Sequence, residues 1–224
     1  MSVKVKVLAV LAALVAFGGV TTIGAASASA GTPQCGSSCI GIFSAEYGTT
    51  TNPGFVETVR GGVAHAGVPT ELFRISDTNS AEDLLPLGGT VTSFYTSGKV
   101  SAAVAQEYSG DMAAQIEYAP LGKPTGLCAG LATNPYQNEG LTLQPCSIPG
   151  TTVWIIDTAV SSVKGAFALV NGANREFTHP YGMTYYVNPA IVPAQIRVAR
   201  LQINASHPTA PARQLWGAVF GPQS

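Results

Sequence analysis

The side chains that most often carry catalysis are sparse in this sequence and form no catalytic pattern. Its three histidines, His65, His179 and His207, are far apart, and none stands in the His-x-x-x-His spacing that brings two imidazoles to one zinc ion. The sequence has no Gly-x-Ser-x-Gly nucleophile motif and no glycine-rich phosphate loop. We therefore predict a protein that is not an enzyme and uses no metal and no cofactor. The alternative is a hydrolase built from residues distant in sequence.

The best candidates for ligand contact are four adjacent residues, Tyr136, Gln137, Asn138 and Glu139. They stand between Asn134-Pro135 and Gly140, which are turn-forming residues, and side chains in turns are accessible to ligands. A solvated turn without a ligand would have the same composition and is the alternative.

Composition restricts the partners. Charged residues make up 10% of the chain, the net charge is −1, and no basic run or stripe occurs. Nucleic acid is therefore not an expected partner. The 25 glycines and 15 prolines indicate many turns, as in an all-β domain.

Four cysteines, Cys35, Cys39, Cys128 and Cys146, raise the question of pairing. An even number in an exported chain predicts two disulfides, and four cysteines allow three pairings, of which we favour Cys128 with Cys146 and Cys35 with Cys39. A metal or redox site is the alternative, but no Cys-x-x-Cys pair and no neighbouring histidine supports it.

The elements around these residues are best defined between residues 126 and 157. Three short apolar runs, 127–131, 141–146 and 152–157, are separated by turn residues such as Asn134-Pro135 and Pro149-Gly150. Their length and their β-branched and aromatic content predict three strands.

The same stretch resembles one repeat of the ricin-B type β-trefoil lectins. The matching segments are Leu127-Cys128-Ala129-Gly130, a strand that ends in Cys146, and Thr152-Val153-Trp154 in place of the closing Gln-x-Trp. The resemblance is clear over about 30 residues. It implies a non-catalytic binding protein on a lectin-like scaffold, whose expected partner is a carbohydrate or an extracellular protein.

The sugar-binding residues of that family are missing from this repeat. The resemblance places its aspartate at Gly130, its stacking aromatic at Gln144 and its amide at Thr151. We therefore expect the usual galactose-type pocket to be absent and leave the ligand open. The alternative function is that of a protease inhibitor or protein-interaction trefoil, acting through the loops 49–54 and 135–140.

Two other segments resemble the closing strand of this repeat, so the repeat is predicted to occur three times along the chain. Gln214-Leu215-Trp216 is a complete Gln-x-Trp, and Ala81-Glu82-Asp83-Leu84 is a degenerate counterpart. Three closing strands predict an all-β, β-trefoil-like fold with insertions, and a β-sandwich is the alternative. Between the closing strands at Leu84 and Trp154 we predict a strand at 91–95, and a helix or a strand at 100–108.

The first 30 residues differ from the rest. Lys4 and Lys6 precede an apolar stretch, and small residues end it at Ala30. This pattern predicts a signal peptide over 1–30 with cleavage between Ala30 and Gly31, and a secreted β-trefoil-like domain over 31–224. An uncleaved segment, which would be the protein's only contact with a membrane, is the alternative.

Overall fold

The computed structural model describes residues 36–76, 79–204 and 206–221. The strands in chain order are β1 Ile40–Ser44, β2 Phe55–Val59, β3 Thr70–Arg74, β4 Leu84–Thr90, β5 Met112–Tyr118, β6 Leu127–Gly130, β7 Thr142–Pro145, β8 Trp154–Asp157, β9 Ala168–Asn171, β10 Tyr181–Thr184, β11 Ala194–Gln195, β12 Arg197–Arg200 and β13 Trp216–Phe220. The helices are α1 Val91–Thr96 and α2 Ala102–Glu107, with short 3-10 helices at Arg60–Gly62, Ser80–Glu82, Pro120–Gly122 and Ala212–Gln214. Within these residues no helix is long and apolar enough to cross a bilayer. The predicted signal peptide and its cleavage site lie outside them.

Six of the strands form a closed barrel. β1 pairs with β4, β4 with β5, β5 with β8, and β8 with β9, all antiparallel. A bridge between Phe167 and Trp216 joins the start of β9 to β13, and β13 pairs with β1 over five residues. The barrel therefore has no open edge, which satisfies the backbone hydrogen-bonding groups that an edge strand would expose.

Three hairpins cap one end of this barrel. They are β2 with β3, β6 with β7, and β10 with β12. At their centre three backbone hydrogen bonds close a ring: Thr70 N–H donates to Leu141 O at 3.1 Å, Leu141 N–H to Ile196 O at 2.8 Å, and Ile196 N–H to Thr70 O at 3.0 Å. The ring marks the threefold axis and defines repeat 1 as β1–β4, repeat 2 as β5–β8 and repeat 3 as β9–β13.

The three closing strands begin at equivalent residues. Leu84, Trp154 and Trp216 each pair with the opening strand of their own repeat, and each is fully buried. The indole N–H of Trp154 donates to Ala129 O at 2.9 Å, and that of Trp216 to Met183 O at 3.1 Å. The predicted β-trefoil is therefore confirmed, and both tryptophans belong to its core.

The insertion between repeats 1 and 2 is helical, so the strand predicted at 91–95 is wrong. Thr90 caps α1 by accepting a hydrogen bond from Ser93 N–H at 3.1 Å. Val91 and Phe94, three residues apart, are the buried residues of α1, and this is a helical spacing. For 100–108 the helical alternative is correct, with Ser101 capping α2.

The disulfide between Cys128 and Cys146 is confirmed, with Cα atoms 5.0 Å apart. It links β6 to the residue that follows β7, whereas Leu141 of the threefold ring directly precedes β7. Cys39 is also in a disulfide. Its predicted partner, Cys35, lies outside the described residues, so that pairing stays a prediction.

The carboxyl group of Glu57 is buried in the core of repeat 1. Glu57 pairs with Leu72 across the hairpin, as Ala129 pairs with Leu143 and Met183 with Val198, so a glutamate occupies a position that is apolar in the other two repeats. Neither carboxylate oxygen has a hydrogen-bond partner of ordinary geometry among the described residues. Burial raises the pKa of Glu57 from the usual 4.5 to about 7, and the Thr70 hydroxyl offsets part of this rise.

This burial predicts a stability that falls as the pH rises. Because the pKa of Glu57 is higher in the folded than in the unfolded chain, folding takes up a proton between about pH 4.5 and 7. The contribution of Glu57 to the free energy of unfolding should therefore fall by about 3 kcal/mol across this window and stay level above it. Denaturant unfolding at several pH values measures this. Glu57→Gln should remove this contribution to the profile, whereas Glu107→Gln, at an exposed position, should keep it. An unchanged profile in Glu57→Gln would contradict the assignment.

The second prediction concerns the disulfide of repeat 2. It closes a loop of 18 residues, so its loss in Cys128→Ser/Cys146→Ser should lower the free energy of unfolding by about 3 kcal/mol. Chemical denaturation of the oxidised chain and of the double variant measures the difference. Peptide mapping without reductant should return the Cys128–Cys146 link and, for the pairing that we predict, Cys35 with Cys39. A link between Cys39 and Cys128 would refute both pairings.

Candidate functional site

The threefold axis relates two openings on the protein surface. The strand registers make Thr58, Gly130 and Thr184 equivalent, and likewise Phe73, Gln144 and Ala199. Repeat 1 has a pocket of about 310 Å³ at this position, lined by Thr58, Phe73 and the 3-10 helix before β4. Repeat 3 has one of about 530 Å³, lined by Thr184, Ala199 and the 3-10 helix before β13. We name these the repeat-1 pocket and the repeat-3 pocket.

The repeat-1 pocket combines a carboxylate, an aromatic ring and hydroxyl groups. Phe73 lies on its rim with 43% of its surface exposed. Glu71, on the same strand, is mostly buried and forms an ion pair with Arg60, whose Nε lies 2.8 Å from Glu71 Oε2. Ser80 and Asn79 line the opposite side. The pair of Glu71 and Arg60 thus places an acceptor and a donor beside an exposed ring.

The wall of this pocket is a turn that requires glycine. Gly61 and Gly62 have φ of 67° and 65°, the left-handed region that side chains with a Cβ rarely adopt. The hydroxyl of Tyr118 donates to Gly62 O at 3.0 Å and fixes the turn from the core side. The pocket is therefore held by repeat 2 as well as by repeat 1.

In repeat 2 the corresponding position is filled. Gly130 is buried, and a Cβ atom built on it would lie 2.9 Å from both Thr151 O and Thr152 Cγ2. Gln144 is occupied by a hydrogen bond from its Nε2 to Thr142 Oγ1 at 2.8 Å. The repeat that resembles the lectins most closely in sequence thus has no room for their aspartate.

The repeat-3 pocket is polar and basic. Two arginines, Arg200 and Arg213, and His179 line it, and no acidic residue is among its described lining residues. Arg200 Nη1 forms an ion pair with Glu176 outside the lining and donates to His179 O at 2.9 Å. The backbone N–H of His179, together with Thr178 and Arg200, lowers the pKa of Glu176. Glu176 is therefore a carboxylate that holds Arg200 in place.

One of the four predicted contact residues, Gln137, lines the repeat-3 pocket. It accepts a hydrogen bond from Arg200 N–H at 3.2 Å, whereas Tyr136, 56% exposed, is outside the lining. Asn138 has φ of 70°, and its backbone N–H donates to Val198 O at 2.9 Å. Glu139 is buried and accepts from the backbone N–H and the hydroxyl of Thr133, both at 3.2 Å. The structure therefore brings Gln137 to a cavity, while Asn138 and Glu139 hold the loop.

The remaining candidates for chemistry stay apart. Among the residues that the structure describes, no group of three or more His, Cys, Asp or Glu side chains is placed to hold a metal ion. Of the two loops considered for protein contacts, the one at 49–54 is closed on itself by a bridge between Thr49 and Asn52.

Sequence reasoning missed Phe73 and Glu71, although a signal was present. Strand β3, Thr-Glu-Leu-Phe-Arg, alternates around the fully buried Leu72, so Glu71 and Phe73 share the opposite face. The missing step was the pairing of this strand with Phe55–Val59, which places both side chains beside the 3-10 helix Ser80–Glu82.

The fold defines the chain as a β-trefoil protein, and comparison with solved structures agrees. The designed threefold-symmetric protein ThreeFoil is similar, with a TM-score of 0.50 and 10% identity over 81% of this chain and 98% of ThreeFoil. A mosquitocidal holotoxin matches with a TM-score of 0.49 and 12% identity, over 83% of this chain and 17% of the toxin chain. No protein-family model and no curated protein sequence matches. The similarity to ThreeFoil, at such low identity, shows the fold alone.

The filled position in repeat 2 leads to a test by substitution. Gly130→Asp restores the carboxylate of the lectin family, but its Cβ would overlap the backbone of Thr151, so we expect a loss of stability of about 2 kcal/mol or more and no gain of galactose binding. Gly110→Asp is the matched control, since a Cβ there meets nothing within 4 Å. Thermal unfolding and calorimetric titration with galactose provide the two measurements. A stable Gly130→Asp variant that binds galactose would show that repeat 2 retains a sugar pocket.

Proposed function

We propose that the protein is a secreted, non-catalytic binding protein that takes a saccharide in the repeat-1 pocket. The observation that carries this proposal is the position of Phe73, an exposed ring beside the Glu71 carboxylate in a concave site. Saccharides present one apolar face of C–H groups and a rim of hydroxyl groups. An aromatic ring covers the first, and charged or hydroxyl groups bind the second.

The polar groups of the pocket suit hydroxyl groups on adjacent carbons. Glu71 provides acceptor oxygens, and its ion pair with Arg60, which is outside the described lining, holds the carboxylate in place. Ser80, also in the lining, can donate or accept. An acceptor that is already fixed binds a ligand hydroxyl group with little loss of side-chain freedom.

The number of carboxyl groups in this pocket favours binding over hydrolysis. Glycosidases generally need two carboxyl groups about 5 to 10 Å apart, one of which donates a proton. The described lining of this pocket includes one carboxyl group, that of Glu71, and it is held in an ion pair with Arg60. Glu71 therefore acts as a fixed acceptor in this proposal.

Secretion is part of the proposal because of the disulfides. The Cys128–Cys146 link and the bonded Cys39 are compatible with an oxidising compartment, in which disulfides persist. The apolar leader and its small-residue end at Ala30 support the same location.

The test is a saccharide screen on the purified oxidised protein, followed by titration calorimetry with the best ligand. Phe73→Ala should weaken binding about tenfold or more, because the stacking surface is lost. Phe220→Ala is the matched control, since Phe220 is 60% exposed on β13 and does not line the pocket. We expect it to bind as the wild type does.

Two results would contradict the proposal. One is a screen of neutral and acidic saccharides, including cell-wall polysaccharides, without saturable binding. The other is a ligand that binds equally well to the wild type and to Phe73→Ala while the melting temperatures stay equal.

A further inference from the structure

The repeat-3 pocket differs from the repeat-1 pocket in charge at equivalent positions. The strand registers match Arg197 to Glu71 and Ala199 to Phe73. Counting back three residues from Trp216 and from Leu84 matches Arg213 to Ala81, and both residues lie in the 3-10 helix before the closing strand. At these equivalent positions repeat 3 therefore has neither the carboxylate nor the aromatic ring of repeat 1, and it has arginines instead at two of the three.

Arg213 is the uncompensated charge of this pocket. Among the described residues, no carboxylate lies within ion-pair distance of it, and its one side-chain hydrogen bond runs from Nη2 to Gln202 Oε1 at 3.2 Å. Its side chain is exposed, so it stays solvated until a ligand arrives. The absence of acidic lining residues leaves a positive field in the cavity.

Arg200 contributes a second, fixed guanidinium. One nitrogen, Nη1, is used by Glu176 and by His179 O, and the group also lies over the ring of Tyr181 at 4.8 Å. Within the described chain, Nε and Nη2 make no hydrogen bond, so these donors are available on a side chain that is already held. A preorganised donor loses little conformational freedom when it binds a ligand.

We propose that the repeat-3 pocket binds a small organic anion, with Arg213 and Arg200 as the residues that hold its carboxylate, sulfate or phosphate group. Guanidinium groups match the oxygen geometry of these anions and bind them through paired N–H donors. The uncharged rim, which includes Gln137, Tyr186 and Asn204, has donors and acceptors for the rest of the ligand. A cavity of about 530 Å³ is larger than an inorganic anion needs and suits an acidic monosaccharide or disaccharide.

This site is independent of the repeat-1 pocket, so the two proposals can fail separately. The experiment is calorimetric titration of the full oxidised chain with glucuronate, glucose 6-sulfate and their neutral counterpart glucose. We expect at least one of the two anions to bind tenfold more tightly than glucose, with an affinity that weakens as sodium chloride is added. Arg213→Gln should lose about tenfold of that affinity, whereas Phe73→Ala should retain it.

Lys123→Gln is the control for net charge, since it removes one positive charge from an exposed residue outside the pocket. Equal melting temperatures of the two charge variants establish that Arg213→Gln is folded. Competition by sodium sulfate would support binding through the anionic group.

Three results would overturn the proposal: equal binding of glucose and both anions, equal loss in Arg213→Gln and Lys123→Gln, or no binding of any of these probes. Vesicles of phosphatidylglycerol test a membrane surface as the source of the anion. Binding to these vesicles without binding to the soluble anions would also overturn it.

Discussion

The ring of three backbone hydrogen bonds among Thr70, Leu141 and Ile196 is the constraint on which the rest of this structure depends. Each hairpin donates to one neighbour and accepts from the other, so no hairpin can shift along its strands without breaking a bond in both adjacent repeats. The buried Leu72, Leu143 and Val198 lie two residues further along the same strands and are thereby brought to one level of the core. The registers of three separate hairpins are therefore coupled at a single point.

The three repeats share this backbone arrangement but differ in their core residues and in their surface pockets. Repeat 2 keeps the disulfide and the tryptophan but fills its surface position with backbone, because Gly130 lies against Thr151. Repeat 1 loses the tryptophan to Leu84 and has the buried Glu57, yet it keeps an open pocket with an aromatic rim. Repeat 3 keeps the tryptophan and has a basic cavity with no acidic residue in its described lining. Conservation of the fold signature and retention of an open site are thus separate properties in this protein.

The fold could be predicted from sequence because its signals are local. The spacing of Cys128, Cys146 and Trp154 lies within repeat 2, and the complete Gln-x-Trp at Gln214 lies within repeat 3. The helix at Val91–Thr96 was missed because its β-branched and aromatic residues favour a strand, and the cap from Thr90 prevailed over that preference. The pockets could not be found in this way, because each depends on strand pairing and on a 3-10 helix from elsewhere in the chain. Arg213 and Gln137 are 76 residues apart in the numbering and line one cavity, where Gln137 accepts a hydrogen bond from the backbone N–H of Arg200.

The pairing of β1 with β13 has a consequence for the order in which the chain can become structured. The barrel closes between its first strand and its last, across almost the whole described length of the chain. A growing chain that lacks Trp216–Phe220 leaves β1 with an unpaired edge and Trp216's place in the core empty. The barrel can thus close only after this strand has been made, and contacts so distant in sequence are slow to form. Until then the unpaired edge of β1 is exposed to proteases and to other unfinished chains.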